Sequence, residues 1–300
     1  VIGRRPERAR THLCANEIGR EITVGYQRPD SVSDALSALA GGASVIAGGT
    51  DWYPARLGRP LPRDILDITG LPGFAGIVLE DGGWRIGAAT SWTQVLRADL
   101  PPAFDGLKAA AREVGSVQIQ NAGTVGGNLC NASPAADGMP PLLTLDAVVR
   151  VVGPEGRRDV PLAAFVTGVR QTDLGPGELV ESLFIPDPGG AGSSFVKLGA
   201  RKYLVISIVM VAAVVRVEAG RIAEARVAVG ACSPVARRLT QLEAALIDRN
   251  PGEIDELVVP EALSGLAPIA DVRGSAEYRM EAVAELVRRA IADAAGEANG

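Results

Sequence analysis

The sequence of 300 residues contains one histidine, His12, and three cysteines, Cys14, Cys130 and Cys232. A single histidine near the N-terminus excludes a Ser–His–Asp triad, or a metal site built on histidines, farther along the chain. Three widely separated cysteines without a C-x-x-C pair cannot supply the four thiolates of an iron–sulfur cluster. This odd number of cysteines fits a reducing cytoplasm, where cysteine acts mostly as a small apolar side chain.

Long hydrophobic runs and concentrated positive charge are also absent. The longest apolar run, residues 203–215, is interrupted by Ser207 and is too short to span a bilayer. The net charge of −5 argues against a nucleic-acid surface, and no signal-peptide pattern is present. With 47% hydrophobic and 22% charged residues, the composition predicts a globular protein with one large or two ordinary domains. We expect a cytoplasmic location without nucleic-acid or membrane partners.

The sequence also lacks the two common nucleotide fingerprints, a G-x-G-x-x-G that opens a helix and a Walker Gly-Lys-Ser/Thr. In their place are two loops rich in glycine and in hydrogen-bond donors. The first, residues 45–51, is a short apolar strand that runs into Gly-Gly-Thr-Asp. The second, residues 121–137, reads NAGTVGGNLCNASPAAD and contains neither lysine nor arginine.

These two loops have the chemistry of a phosphate site. Gly123, Gly126 and Gly127 permit positive φ and close approach of another group. Consecutive N–H groups in such a turn form a concave nest that suits a phosphate, and Ser133-Pro134 predicts the start of a helix. Either loop alone is equally typical of a tight turn without a ligand. Together they favour a ligand with two phosphates that is held from both sides.

The order of the predicted elements divides the chain near residue 190, at the Pro- and Gly-rich segment 186–190. Three strand-like runs follow it, and then helices, at residues 193–198, 206–218, 222–229, 234–247, 254–263 and 275–294. Strands followed by segregated helices predict an α+β domain. We therefore expect a flexible leader (1–20), a first domain (21–188) and a C-terminal domain (191–297).

The two loops, at residues 47–51 and 121–137, resemble the two FAD-binding signatures of the molybdenum hydroxylase family. This family includes the flavoprotein subunits of xanthine dehydrogenase, carbon monoxide dehydrogenase and aldehyde oxidase, and the resemblance is strongest to the xanthine dehydrogenase type. It extends from Ile22 to the C-terminus. It implies an α+β fold in which a two-subdomain FAD-binding domain of the PCMH/vanillyl-alcohol-oxidase-like type precedes a C-terminal α+β domain. The latter would contain a three-stranded antiparallel sheet plus helices.

The resemblance also implies which residues bind FAD, without a covalent link. The residues that would hold the pyrophosphate and ribityl region belong to the two loops: Ala47, Gly48, Gly49, Thr50, Asp51, Thr124, Val125, Gly126, Gly127 and Asn128. Ser133 would place a helix N-terminus near the same group.

Three further residues match family positions around the rest of the cofactor. Asp137 would hydrogen-bond the adenosine ribose, Lys197 would lie near the flavin ring, and Leu183 would pack on it. Asp137 is also typical of a first-turn helix acid, and Lys197 of a surface lysine on a strand. Trp52, next to the first loop, is more typical of a core or interface residue than of one that stacks on the flavin.

The function implied is that of an electron-transfer subunit, which passes electrons from [2Fe-2S] clusters through FAD to NAD+ or another acceptor. Molybdopterin and the clusters would lie in a large and a small partner subunit, and this chain would hold no metal and no acid–base catalyst. Two alternatives stay open. One is a stand-alone flavin oxidase of the vanillyl-alcohol-oxidase type, and the other is a nucleotide-binding module without redox chemistry. The oxidised substrate is not determined by the sequence.

Overall fold

The computed structural model describes residues 12–14 and 22–297. Of the predicted leader, only His12–Cys14 falls within these residues, and the rest of it lies outside them. The first part of the chain forms a four-stranded sheet in the order β1-β2-β4-β3, with strands His12–Cys14 (β1), Ile22–Gln27 (β2), Ser44–Ile46 (β3) and Asp64–Asp67 (β4). Strands β2, β4 and β3 run parallel, and β1 is antiparallel to β2. The first loop therefore starts at the carboxyl end of β3.

Helix Val32–Ala40 (α1) connects β2 to β3, and its start is fixed locally. Ser31 is the N-cap, and its Oγ accepts a hydrogen bond of 3.1 Å from the backbone N–H of Asp34. Buried Ala35 and its apolar neighbours pack against Leu66 and Phe74, so α1 covers one face of the parallel strands.

The middle of the chain contains strands Ile77–Glu80 (β5), Gly83–Gly87 (β6), Val148–Gly153 (β7), Gly156–Pro161 (β8), Val166–Gly168 (β9), Gln171–Thr172 (β10) and Leu179–Pro186 (β11). Five of them form an antiparallel sheet in the order β5-β6-β11-β7-β8, and β9 and β10 form a separate hairpin. The helices of this part are Trp92–Arg97 (α2), Asp105–Glu113 (α3), Val117–Ala122 (α4), Val125–Asn131 (α5), Met139–Thr144 (α6) and Leu162–Phe165 (α7). Helix α2 begins with a complete capping box between Ser91 and Gln94.

The C-terminal part is a four-stranded antiparallel sheet with helices on one face. Its strands are Gly192–Leu198 (β12), Val209–Glu218 (β13), Arg221–Gly230 (β14) and Arg237–Arg238 (β15), and its helices are Thr240–Leu246 (α8), Ile254–Leu257 (α9) and Ala276–Glu297 (α10). The α+β class is thus confirmed. The expected three-stranded sheet gains a fourth strand because the two-residue β15 pairs with Ala228 and Val229 of β14.

Strand β13 is buried on both faces. Val211, Ala213 and Val215 pack into the core under α10, whereas Val214 points to the core of the middle part of the chain. Burial on both sides explains why the sequence is apolar without alternation here. Among the described residues, no helix is both long enough and apolar enough to cross a membrane.

Candidate functional site

A crevice of about 410 Å³ opens where the carboxyl ends of β3 and β4 meet the connection between α4 and α5. Its size lies in the range of small-molecule sites. The residues that line it include nine of the predicted ones, namely Ala47, Gly48, Gly49, Thr50, Asp51, Thr124, Gly126, Gly127 and Asn128. Both predicted loops therefore border the same space. In many folds with parallel strands, ligands bind at the carboxyl ends of those strands, as this crevice would allow.

The two loops touch each other at Gly48. A Cβ atom on Gly48 would lie 1.9 Å from the carbonyl oxygen of Ala122 and 2.9 Å from the Cα of Gly123. A Cβ atom on Gly123 would in turn lie 3.4 Å from the Thr50 hydroxyl oxygen. The absence of a side chain at Gly48 is therefore what allows the loops to meet.

The first loop presents backbone amides that have no partner among the described residues. Within the part of the chain that the structure describes, the N–H groups of Gly48, Gly49, Thr50 and Asp51 donate to no acceptor. The carbonyls of Gly49 and Asp51, by contrast, accept hydrogen bonds of 3.1 Å from the N–H groups of Tyr53 and Ala55. Gly49 has φ of +72°, which turns the loop. Four successive free donors in a turn suit an anion such as a phosphate.

The second stretch, residues 121–137, differs from the loop and nest that the sequence predicts, because helices α4 and α5 occupy its first half. The N–H groups of Val125 and Gly126 donate to the carbonyls of Thr90 and Ala88, at 2.9 and 2.8 Å. The N–H of Gly127 donates to the Thr124 side chain, which caps α5, at 3.1 Å. These amides are thus already satisfied and cannot form the predicted nest.

The glycines of this stretch serve close packing rather than positive φ. A Cβ atom on Gly126 would lie 2.8 Å from the carbonyl oxygen of Ala88, the same oxygen that its N–H reaches. The predicted helix start at Ser133-Pro134 is also wrong, since the next helix begins at Met139. Ser133 instead forms a turn in which its Oγ accepts from the N–H of Ala135 at 3.3 Å.

One of the residues that line the crevice, Asn128, has a side-chain oxygen without a hydrogen-bond donor among the described residues. Asn128 Oδ1 is buried and has no partner in the described structure. A buried carbonyl oxygen without a donor costs free energy, so such an atom points to a donor supplied from outside the chain.

Five of the predicted residues do not line the crevice: Val125, Ser133, Asp137, Leu183 and Lys197. Val125 and Leu183 are fully buried in the core. Their predicted contacts with FAD stay predictions.

Asp137 and Lys197 instead bind each other. Their Oδ2 and Nζ atoms are 2.9 Å apart, and the Ser207 hydroxyl donates to Asp137 Oδ1 at 2.6 Å. Burial raises the pKa of the Asp137 carboxyl, and Lys197 and Ser207 oppose that rise. This buried ion pair joins the segment before α6 to strand β12 of the C-terminal sheet.

The structure adds lining residues that the sequence does not reveal, among them Arg56, Trp52 and Glu178. Arg56 ends the one-turn 3₁₀ helix Pro54–Arg56, which folds back beside the first loop. Neither predicted loop contains a lysine or an arginine, so Arg56 brings a cationic side chain to the crevice from outside both of them. Pro54 is the only local sequence signal of this helical turn, because proline favours the first position of a helix.

Glu178 also lines the crevice and pairs with Arg158, which forms a second ion pair with Asp173. Its carboxylate accepts hydrogen bonds of 2.8 and 2.7 Å from Arg158 and of 2.6 Å from the N–H of Gly175. The bond with Arg158 is the main cause that lowers the pKa of Glu178 from 4.5 to about 2. A lowered carboxyl pKa contributes stability above the unfolded value of 4.5, and that stability is lost as pH falls toward 2.

We expect Glu178→Gln to lower the free energy of unfolding at neutral pH by about 1 kcal/mol, a value reduced for solvent screening. The difference from the unsubstituted protein should shrink as pH falls below 4.5, because the wild-type carboxylate is then protonated in the unfolded chain. Urea denaturation at several pH values measures this. Glu155→Gln, in the exposed turn between β7 and β8, is the control and should leave the curve unchanged. An equal effect of both substitutions would contradict the prediction.

The chain is similar to proteins of known function over nearly its whole length. The family model described as "FAD binding domain in molybdopterin dehydrogenase" matches residues 20–188, and that of the "CO dehydrogenase flavoprotein C-terminal domain" matches residues 194–294. The xanthine dehydrogenase FAD-binding subunit of Escherichia coli O157:H7 is 32% identical over 286 residues, which cover 92% of this chain and 98% of that protein. The alpha subunit of the 6-hydroxypseudooxynicotine dehydrogenase complex of Paenarthrobacter nicotinovorans is 33% identical over 283 residues, with coverage of 90% and 93%.

Solved structures give the same result for the fold. A chain of carbon monoxide dehydrogenase from Hydrogenophaga pseudoflava matches with a TM-score of 0.84 and 28% identity, over 91% of this chain and 98% of that one. The likeness thus includes both the crevice and the C-terminal sheet.

Proposed function

The chain belongs to the family of FAD-binding subunits of molybdenum hydroxylases, the xanthine dehydrogenase and carbon monoxide dehydrogenase type, and we propose that its crevice holds FAD without a covalent link. The protein is an oxidoreductase subunit. The observation that carries the assignment of FAD to the crevice is the set of free amides at Gly48, Gly49, Thr50 and Asp51, which border the same space as the second stretch.

The residues present fit such a cofactor. Free backbone amides are donors for diphosphate oxygens, and Gly48 and Gly49 let a ligand approach the backbone closely. Asn128 Oδ1, buried without a donor, can accept from a ribityl hydroxyl or from the adenine amino group. The hydroxyls of Thr50 and Thr124 add two further donors.

When bound, FAD supplies the redox chemistry, because it exchanges electrons with both one-electron and two-electron partners. The chain itself binds and orients the cofactor and shields it from water on the side of the core. We propose that the electrons come from [2Fe-2S] clusters in a small subunit, which receives them from a molybdopterin-containing large subunit in the cytoplasm. The three cysteines of this chain cannot hold a cluster, which supports separate subunits. NAD+ is our proposed acceptor.

The proposed domain division follows the same lines. A FAD-binding domain of residues 21–188 and a C-terminal domain of residues 191–297 would meet at the segment 186–190. Of the predicted leader (1–20), residues 12–14 pair with β2 and so belong to the sheet of the first domain. The ion pair between Asp137 and Lys197 would then be a contact between the two domains.

Purification of the full chain with its co-purifying partners tests the proposal. We expect flavin absorbance bands, release of unmodified FAD on denaturation, and bleaching of the bands by NADH. A colourless protein that binds no added FAD would support the nucleotide-binding module instead. Oxidation of an organic substrate by the isolated chain would support the stand-alone oxidase. Assay of the whole complex against purines and other heteroaromatic compounds then identifies the substrate.

A further inference from the structure

Arg56 provides the positive charge of the crevice. Among the described residues that line it, the charged ones are Asp51, Arg56 and Glu178. Glu178 pairs with Arg158, which it shares with Asp173. Arg56 is therefore the one cationic side chain that the described part of the chain places on the wall of the crevice.

The guanidinium of Arg56 is held in place without a carboxylate partner. Its central carbon lies 4.0 Å from the centroid of the Trp52 ring, and its Nη2 donates to Ser44 Oγ at 3.2 Å. The indole N–H of Trp52 donates to the same Ser44 oxygen at 3.3 Å, which fixes the ring under the guanidinium. Within the described residues, Arg56 forms no ion pair. Trp52 thus serves as a platform for Arg56.

A preorganised guanidinium with free N–H groups is suited to a phosphate. Arginine offers five donors in a rigid plane, and stacking on an aromatic ring reduces the entropy that it loses when it binds. The free amides of the first loop are neutral, so they orient a diphosphate without balancing its charge. A charge that leaves water is tolerated only when it is paired and hydrogen-bonded.

We infer that Arg56, held on Trp52 and Ser44, pairs with the diphosphate of FAD and supplies the ionic part of its affinity. This inference rests on the proposed function, since it concerns the same crevice. The inference adds one residue to the proposed FAD-binding set, and this residue lies outside both loops, in the turn that follows the first loop.

The test is a titration of the flavin-free full chain with FAD, at low and at high salt, followed by quenching of flavin fluorescence. We expect Arg56→Met and Arg56→Gln to weaken FAD binding by about 10- to 100-fold at low salt. Their affinities should also depend less on salt than that of the unsubstituted chain, because screening acts on the ionic part. Arg56→Lys should bind with intermediate affinity, since lysine keeps the charge but not the planar fork.

Arg59→Met is the matched control, because Arg59 is exposed on the same segment and does not line the crevice. It should bind FAD as the unsubstituted chain does. Thermal melting of each variant checks that it is folded, and Arg56→Gln keeps a polar side chain at this half-buried position. Unchanged affinity and salt dependence in both Arg56→Met and Arg56→Gln would overturn the inference, although FAD would still occupy the crevice. Failure of the unsubstituted chain to bind FAD would instead refute the proposed function.

Discussion

Replacement of Gly48 with alanine is expected to abolish measurable FAD binding and to lower the free energy of unfolding by about 2–3 kcal/mol. The new methyl carbon would lie 1.9 Å from the Ala122 carbonyl oxygen and 2.6 Å from its carbonyl carbon. Both atoms belong to the backbone of α4, so they cannot rotate away as the end of a side chain would. The first loop and the second stretch must therefore separate, and the donors on the two sides of the crevice lose their common geometry.

Fluorescence titration with FAD and chemical denaturation of the same samples measure both effects of Gly48→Ala. Gly265→Ala is the control, because Gly265 is exposed and a Cβ atom there meets nothing within 4 Å. The control should retain FAD affinity and stability. If Gly48→Ala behaved like Gly265→Ala in both measurements, the contact between the two loops would be refuted.

Loss of Lys197 is expected to have the largest effect on stability. Lys197→Met leaves the Asp137 carboxylate buried without its counter-charge, at a cost of about 3–5 kcal/mol at neutral pH. Burial already raises the pKa of Asp137, and without Lys197 that pKa rises further. A raised carboxyl pKa means that the folded protein binds the proton more tightly than the unfolded chain does. The stability deficit of Lys197→Met should therefore be largest at neutral pH and should shrink as pH falls and Asp137 becomes neutral.

Urea denaturation at neutral and at acid pH measures this dependence. The double substitution Asp137→Leu with Lys197→Met removes both charges and should recover much of the lost stability. Arg289→Met provides the control, because Arg289 and Glu285 form an exposed pair on α10 with a distance of 2.7 Å. Such a pair contributes only about 0.3–0.5 kcal/mol. A similar small effect of Lys197→Met at neutral pH would show that the ion pair with Asp137 does not form.

Elements with local start signals could be predicted from the sequence. Ser31 and Ser91 cap α1 and α2, and such caps can be read from the sequence because they depend on residues three positions apart. The second stretch was predicted less well. Gly126 and Gly127 indicate a loop because glycine disfavours helices, but Thr124 caps a helix there and Gly126 packs on Ala88. Tertiary packing overrides local preference at this position.

In the candidate site, too, some features follow from the local sequence and others depend on tertiary packing. The sequence reveals both loops, since glycines, threonines and asparagines cluster in them. It does not reveal Arg56, because the place of this side chain depends on how the turn Pro54–Arg56 folds back against Ser44. Nor does it reveal that Asp137 pairs with Lys197, which is 60 residues away.

The sequence by itself therefore determined the class of this protein: two glycine-containing loops of a flavoprotein, and too few cysteines for an iron–sulfur cluster of its own. The tertiary structure alone decided which donors and charges remain available to a ligand. The amides of Gly48 to Asp51 have no acceptor among the described residues. Those of Val125 and Gly126 donate to the carbonyls of Thr90 and Ala88, which lie just after strand β6 and are distant in sequence, and the Thr124 side chain accepts from Gly127. The sequence defines the type of each residue. Which hydrogen-bond partner that residue finds depends on packing between segments that are distant in sequence.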